Sequence, residues 1–259
     1  LLVLFLTAIC LYFYLYITTG KKRPAFLICL ALLFIAAIFT KSMAAFFILP
    51  GLLISVFVFK AGHKVFINKW LYVSFVMAIV VVGSYYVVRE QMQPGYLGYV
   101  WKEELFPRYS DTVNYSYGTF WYYAINLYTE RFTYWLFFLI PAIVVLPFVL
   151  KGYTRKMFWY LIILIVTVFL IISAGTKNLW YDAVLYPMFS ILIAFMMLKI
   201  FDFAEKRVPI INPSLLRPIL LIAFFAYPSV KIIQKVSNVE EYPWDKDIYA
   251  TGYVLRNQE

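Results

Sequence analysis

Three short segments of the chain place cationic and aromatic side chains beside long apolar runs. Lys41 lies in Thr40-Lys41-Ser42, between two apolar runs that leave almost no loop around it. Arg108 follows a stretch of mixed apolar and charged residues, and Lys177 comes shortly before Tyr181. Charges at the edge of a membrane-like segment are costly, and Lys and Arg are the side chains that bind phosphate. These segments therefore predict a site for a phosphate-bearing ligand.

Each segment also has a plainer interpretation, which the sequence leaves open. Lys41 can extend from a tight hairpin to an interface while its stem stays in apolar surroundings. Glu103, Glu104 and Arg108 can form a solvated face with weak ion pairs. The loop at 176–182 can be a short connection with interfacial aromatic residues.

Other kinds of chemistry find no support in the residues. The sequence has no Gly-rich phosphate loop, no paired-His metal motif, no Cys-x-x-Cys and no Gly-x-Ser-x-Gly segment. Cys10 and Cys29 lie inside apolar runs and are expected to be small buried hydrophobic residues, while His63 is expected to be solvated. We therefore predict no metal site in this sequence and assign no cofactor to it. Whether a longer protein uses a divalent metal is a question that the sequence leaves open.

The composition decides which elements must position these residues. The 259 residues are 64% hydrophobic and 14% charged, with a mean hydropathy of +0.81, whereas soluble domains are about 45–50% apolar and about 25% charged. Continuous apolar runs of roughly 17–20 residues suit membrane-crossing helices, not the shorter alternating strands of a barrel. The prediction is an all-α, polytopic transmembrane bundle of about eight helices, with spans at 1–18, 24–40, 42–59, 70–88, 134–150, 157–174, 183–200 and 218–234.

The connections between these spans differ in charge. The loops around 19–23, 60–69, 151–156 and 199–217 carry 13 basic and two acidic residues, while the rest of the chain carries 10 basic and 11 acidic residues. The positive-inside rule places the first set in the cytoplasm. Because topology explains the net charge of +10, no nucleic-acid partner is expected.

The opposite, outer side then receives the segments that carry the candidate residues. These are the turn at Lys41, the long segment 89–133 and the loop 176–182. Pro94-Gly95 indicates a turn, and the stretch from Tyr96 to Phe106 is predicted to be an outer juxtamembrane helix lying flat at the interface. We expect residues 1–234 to form the transmembrane domain and residues 235–259 to begin a polar outer tail.

The first residue, Leu1, already lies in an apolar run with no basic region before it and no cleavage site after it. The first apolar run is therefore not expected to be a signal peptide. We expect this sequence to be a piece of a longer protein that lacks the N-terminal part.

The sequence resembles the GT-C membrane glycosyltransferases of the ArnT-like and protein-O-mannosyltransferase-like family. The resemblance covers about residues 24–200, and its motifs occur in the family's order. The segments that carry it are Thr40-Lys41-Ser42 with Pro50, Pro94-Gly95-Tyr96-Leu97 with Glu104 and Arg108-Tyr109, Phe120-Trp121-Tyr122-Tyr123, and Thr176-Lys177-Asn178-Leu179-Trp180-Tyr181 with Tyr186-Pro187.

The resemblance implies a polyprenyl-phosphate-linked sugar as donor and a lipid, glycan or protein as acceptor, on the periplasmic face of a bacterial inner membrane or on a luminal face. It implies that Lys41, Arg108, Lys177 and Tyr181 bind the donor phosphate, with Glu104 and Tyr109 in support. The family's acidic catalytic base lies in its first outer loop, which we expect upstream of Leu1. The catalytic residue is therefore unknown, and this piece alone is expected to be inactive.

Two other functions remain alternatives. An O-antigen ligase or polymerase also uses outer arginines and a long outer loop. A transporter or flippase would favour inverted repeats and charges near the midplane, and the sequence has no convincing internal repeat and no Asp, Glu, Lys or Arg near the middle of a predicted span.

Overall fold

The chain folds almost entirely into helices, and no strand occurs in the ranges described. The computed structural model describes residues 1–19, 24–105, 119–175, 177–178, 180–207 and 213–237, without the side chains of 42–43, 103–105, 213–216, 227 and 235–236. Its α-helices are α1 (Leu2–Thr19), α2 (Pro24–Lys41), α3 (Leu49–Val58), α4 (Gly62–Phe66), α5 (Lys69–Met92), α6 (Tyr96–Tyr99), α7 (Tyr122–Asn126), α8 (Thr133–Val149), α9 (Gly152–Ala174), α10 (Tyr186–Arg207) and α11 (Pro213–Ser237).

Four further segments continue these helices with a different winding. Ser42–Ile48 and Tyr181–Leu185 are 3-10 segments that lead into α3 and α10. Val100–Leu105 and Leu127–Arg131 are π-helical and follow α6 and α7. Each of these segments belongs to a stretch that carries a candidate residue or one of its contacts.

Six helical segments within the described ranges are long and apolar enough to cross a membrane, which makes the chain a multi-pass membrane protein. They have 18 to 27 residues, and a helix needs roughly 17–25 residues to span the hydrocarbon layer. The predicted all-α class is confirmed. The six segments are Leu2–Thr19, Pro24–Lys41, Lys69–Met92, Gly152–Ala174, Tyr181–Arg207 and Arg217–Gln234.

The two other predicted spans, 42–59 and 134–150, fall on shorter apolar helices, Ala44–Val58 and Thr133–Val149. The first is lengthened by its 3-10 half, because a 3-10 segment rises about 2.0 Å per residue against about 1.5 Å in an α-helix. The second has 17 residues, which is close to the lower limit for crossing.

The compact unit Leu1–Met197 has a core in which tyrosine hydroxyls are paired. Tyr14 and Tyr160 are fully buried, with ring centroids 5.1 Å apart. The Tyr14 hydroxyl donates to the carbonyl of Tyr153 at 3.0 Å, and the Tyr160 hydroxyl donates to the carbonyl of Cys10 at 2.8 Å. These bonds satisfy buried polar groups and tie α1 to α9. Cys10 is buried as predicted.

A lysine caps the end of α1. The Lys64 ammonium donates to the carbonyls of Tyr16 at 2.6 Å and Ile17 at 3.4 Å. The last carbonyls of a helix have no partner within it and carry partial negative charge. One member of the predicted basic loop 60–69 is therefore a structural cap. His63 in the same loop is exposed and Cys29 is half-buried.

The turn and the helix that the sequence predicts after α5 both form. Gly95 has φ +95°, and the Glu90 carboxylate accepts hydrogen bonds from the backbone N–H groups of Gly95 at 2.9 Å and Leu97 at 2.7 Å. A carboxylate at a helix N-terminus satisfies free N–H groups and complements the helix dipole. Helical structure extends over residues 96–105, while Phe106 lies outside the described residues.

The second compact unit, Leu198–Glu259, contains two ion pairs in its described part. Lys199 pairs with Asp202 at 3.0 Å, and Arg217 pairs with Glu205. These side chains are exposed or half-buried, and such pairs add little stability. The predicted polar tail 235–259 lies outside the described residues from 238 onward.

The close packing of α3 on α9 can be tested at Gly51. A Cβ at this position would clash with Thr167 Oγ1 and would stand 2.8 Å from Leu164 Cδ2. We expect Gly51→Ala to destabilise the protein by about 1–3 kcal/mol because the added methyl overpacks this contact. Thermal unfolding in detergent measures the effect.

The control is Gly83→Ala in α5, where a Cβ would meet no described atom within 4 Å. This variant should keep or raise the unfolding temperature, since alanine is the better helix former. Equal unfolding temperatures for Gly51→Ala and wild type would contradict the packing argument.

Candidate functional site

The Lys41 ammonium lies against two aromatic rings from the loop that precedes α10. Its Nζ atom is 4.8 Å from the centroid of the Trp180 ring and 5.7 Å from that of Tyr181. The Trp180 side chain is 54% exposed, whereas Tyr181 is buried, with the Phe47 ring edge-on at 5.4 Å. Cation–π attraction therefore holds the charge beside an exposed indole.

The backbone explains why Lys41 reaches this position. Lys41 ends α2, and its φ of −159° and ψ of 54° turn the chain into the 3-10 segment Ser42–Ile48. The same segment carries Phe47, which packs on Tyr181. The end of α2, at the predicted break Thr40-Lys41-Ser42, therefore packs against the loop before α10.

Lys177 caps the C-terminal end of α9. Its ammonium donates to the carbonyls of Ile172 at 3.4 Å, Gly175 at 3.2 Å and Ser173. Ile172 and Ser173 belong to the last turn of the helix and Gly175 directly follows it; carbonyls there lack helical partners, and a cation complements the dipole. Burial lowers the pKa of the Lys177 ammonium. Its charge is nonetheless held in place by the helix end.

Tyr123 fastens the loop from the side of α7. Its hydroxyl donates to the carbonyl of Asn178 at 3.0 Å and accepts from the N–H of Asn178 at 2.9 Å. The Lys177 ammonium lies 5.6 Å from the centroid of the Tyr123 ring. Tyr123 is fully buried, and burial raises the pKa of its hydroxyl. The hydroxyl therefore stays protonated and can make both bonds.

A buried carboxylate lies next to this loop. Asp182 is fully buried, and its two oxygens accept from Arg131 Nη1 at 3.3 Å and from the Tyr186 hydroxyl at 3.0 Å. Arg131 Nη1 also lies 3.5 Å from the Tyr186 hydroxyl. A buried carboxylate without a cation would be strongly destabilising. The pair therefore fixes the 3-10 segment Tyr181–Leu185 against the end of the π-helical segment Leu127–Arg131.

Three of the four predicted phosphate ligands fall on or against this one loop. Lys41 contacts the ring of Tyr181, and Lys177 precedes Tyr181 in the loop itself. The fourth, Arg108, lies outside the described residues, as does the supporting Tyr109. Glu104 has a described backbone in the segment Val100–Leu105, but its side chain lies outside the description.

The sequence alone assigned no site role to Tyr123, Arg131, Tyr186 or Asp182. Tyr123 belongs to the aromatic segment of the family resemblance, which was a signal for it. Arg131 is a lone arginine directly before an apolar span, a position that also fits an ordinary interfacial anchor. No group of three His, Cys, Asp or Glu side chains that could hold a metal occurs among the residues described.

Comparison with protein-family models, with curated proteins and with solved structures gave no match to this chain. The functional assignment therefore depends on the geometry of the site and on the motifs in the sequence.

The role of Tyr123 can be tested by removing its hydroxyl. Tyr123→Phe should destabilise the protein by about 1–2 kcal/mol, because it leaves the Asn178 N–H and carbonyl without their partner. Thermal unfolding measures the loss. Tyr128→Phe is the matched control, since Tyr128 is 67% exposed, and it should unfold like the wild type. An equal loss in both variants would contradict the assigned role.

Proposed function

We propose that this chain is an integral membrane glycosyltransferase of the GT-C type. It transfers a sugar from a polyprenyl-phosphate donor to a lipid, glycan or protein acceptor. The observation that carries the proposal is the Lys41 ammonium held beside the exposed Trp180 ring and the Tyr181 ring, in the loop that Lys177 and Tyr123 fasten. The motif resemblance over about residues 24–200 supports the same function.

The site has the two properties that such a donor requires. A polyprenyl-phosphate sugar presents a phosphate next to apolar and ring-shaped groups, and here an ammonium lies next to an exposed indole. Lys41 contacts the phosphate directly, together with the Tyr181 hydroxyl and Arg108. Lys177 contributes positive charge while it stays bound to the end of α9. Apolar surroundings strengthen these electrostatic interactions.

The chemical role of the cations follows from the direction of charge movement. An acceptor oxygen forms a bond to the anomeric carbon, with inversion, while the bond from that carbon to the phosphate oxygen breaks. Negative charge grows on the departing phosphate, and fixed cations stabilise it in the transition state. The acceptor proton passes to a general base. Asp182 is unsuited to that task because it is fully buried and paired with Arg131.

The orientation of the chain is part of the proposal. The charge asymmetry of the loops supports a site on the non-cytoplasmic side, which is the periplasm if the protein belongs to a bacterial inner membrane. The donor and acceptor then meet outside the cytoplasm, in the cell envelope.

Cysteine labelling tests this orientation. In a variant with Cys10→Ala and Cys29→Ala, a single Tyr128→Cys should react with a membrane-impermeant maleimide in intact cells, and a single Lys151→Cys should react only after the membrane is opened. Both positions are exposed. The reverse pattern of labelling would contradict a non-cytoplasmic site.

Activity tests the function. In the protein expressed with its natural termini, Lys41→Ala, Arg108→Ala and Lys177→Ala should each lower sugar transfer from a polyprenyl-phosphate donor. We expect losses of about 10²-fold or more for Lys41→Ala, since removing one transition-state donor costs about that much. Radiolabelled sugar transfer in membranes measures the rate.

Lys156→Ala is the control for charge removal. Lys156 is exposed at the opposite end of α9 from Lys177, and its variant should transfer sugar at the wild-type rate. Wild-type rates in all three site variants would contradict the phosphate site. Normal insertion of each variant, checked by membrane fractionation, separates lost activity from lost folding.

A further inference from the structure

Arg131 uses only part of its guanidinium to hold Asp182. Nη1 serves both the Asp182 carboxylate at 3.3 Å and the Tyr186 hydroxyl at 3.5 Å. Among the residues that the structure describes, the hydrogen bonds of the Arg131 guanidinium use Nη1 and neither Nε nor Nη2. The Arg131 side chain is 30% exposed, whereas the side chain of Asp182 is fully buried.

This geometry differs from that of an arginine whose whole function is an ion pair. Arg–carboxylate pairs are frequently bidentate, with two parallel bonds of about 2.7–2.9 Å. Here a single nitrogen makes the contact, and it does so at longer range. The edge formed by Nε and Nη2 is the planar fork that matches two oxygens of a phosphate. None of the residues described accepts a hydrogen bond from that fork, and the Arg131 side chain is 30% exposed.

The ion pair with Asp182 also fixes the position of the Nε and Nη2 edge of Arg131. Because Asp182 is buried, releasing Arg131 would leave an uncompensated charge inside the protein. The Tyr186 hydroxyl adds a second contact to both members of the pair. A guanidinium anchored on one side loses little conformational freedom when an anion binds to its other side.

Arg131 and Lys41 act on the same short turn. Lys41 lies over the Tyr181 ring, and Asp182, which holds Arg131, is the next residue in the same 3-10 segment. Lys177, by contrast, already donates to carbonyls at the end of α9. Compared with Lys177, Arg131 has more N–H donors that make no hydrogen bond to the residues described.

We propose that Arg131 is a further phosphate-binding residue of this site, and that Asp182 and Tyr186 are the residues that position it. Nε and Nη2 donate to two oxygens of the ligand phosphate. This inference rests on the proposed function for the presence of a phosphate, and it adds Arg131 to the ligands that the motifs supply.

Binding measurements on the purified protein with its natural termini test the inference. Isothermal titration calorimetry in detergent uses farnesyl phosphate as the probe, with farnesol and inorganic phosphate as references. Wild type should bind farnesyl phosphate more tightly than either reference. Arg131→Gln should raise the Kd for farnesyl phosphate by about tenfold or more, as expected for loss of charge-assisted hydrogen bonds.

Two further variants separate binding from folding. The double variant Arg131→Gln with Asp182→Asn removes both charges of the pair, so it should unfold closer to the wild-type temperature than Arg131→Gln alone and yet bind as weakly. Arg131→Lys keeps a cation for Asp182 but lacks the planar fork, and it should bind between wild type and Arg131→Gln. Arg155→Gln, an exposed arginine in the first turn of α9, should bind like the wild type.

The results distinguish a failure of the role of Arg131 from a failure of the proposed phosphate site. If Lys41→Ala weakens binding while the folded double variant binds within twofold of wild type, Arg131 is no ligand and the phosphate site itself stands. If wild type binds farnesyl phosphate no better than farnesol, the proposed function and the role of Arg131 both fail. If inorganic phosphate binds as tightly as farnesyl phosphate and Arg131→Gln weakens both, Arg131 is confirmed as a phosphate ligand and the lipid-borne donor is contradicted.

Discussion

The loop between α9 and α10 depends on the pairing of polar groups that lie close to apolar surroundings. Lys177 binds the free carbonyls at the end of α9, Tyr123 makes two hydrogen bonds to Asn178, and Arg131 neutralises Asp182. A buried donor, acceptor or charge that lacks a partner costs free energy, so each contact limits where the loop can lie. The Trp180 and Tyr181 rings owe their position next to Lys41 to these contacts.

The same physical rule acts at the end of α1. Lys64 binds the last carbonyls of α1, as Lys177 does for α9. Lys64 therefore has two properties at once: it belongs to a basic loop that the topology prediction uses, and it satisfies the backbone. A cation that is fully engaged by carbonyls contributes its charge to a ligand but few of its hydrogen bonds. Arg131 differs because its carboxylate partner occupies one nitrogen only.

In the proposed catalysis, the cations that bind few carbonyls and those that cap helix ends have different roles. A phosphate that leaves with growing negative charge is stabilised most by donors that are already oriented, since no reorganisation is then needed during the reaction. Lys41 is oriented by two rings and Arg131 by a buried carboxylate. The exposed indole of Trp180 offers an apolar face beside these charges. Together they have the charge and the apolar surface that the proposed amphiphilic phosphate donor requires.

The sequence by itself determined the helical class and the membrane-spanning character, and it predicted Lys41, Lys177 and Tyr181, which the structure brings to one loop. Hydropathy and span length are local properties, so continuous apolar runs identify helices without knowledge of their neighbours. Only the tertiary structure decided that Lys177 caps a helix and that Tyr123 and Arg131 reach the loop from 55 and 51 residues away in the chain. Such contacts arise when helices pack, and no local pattern in the sequence records which side chains then meet.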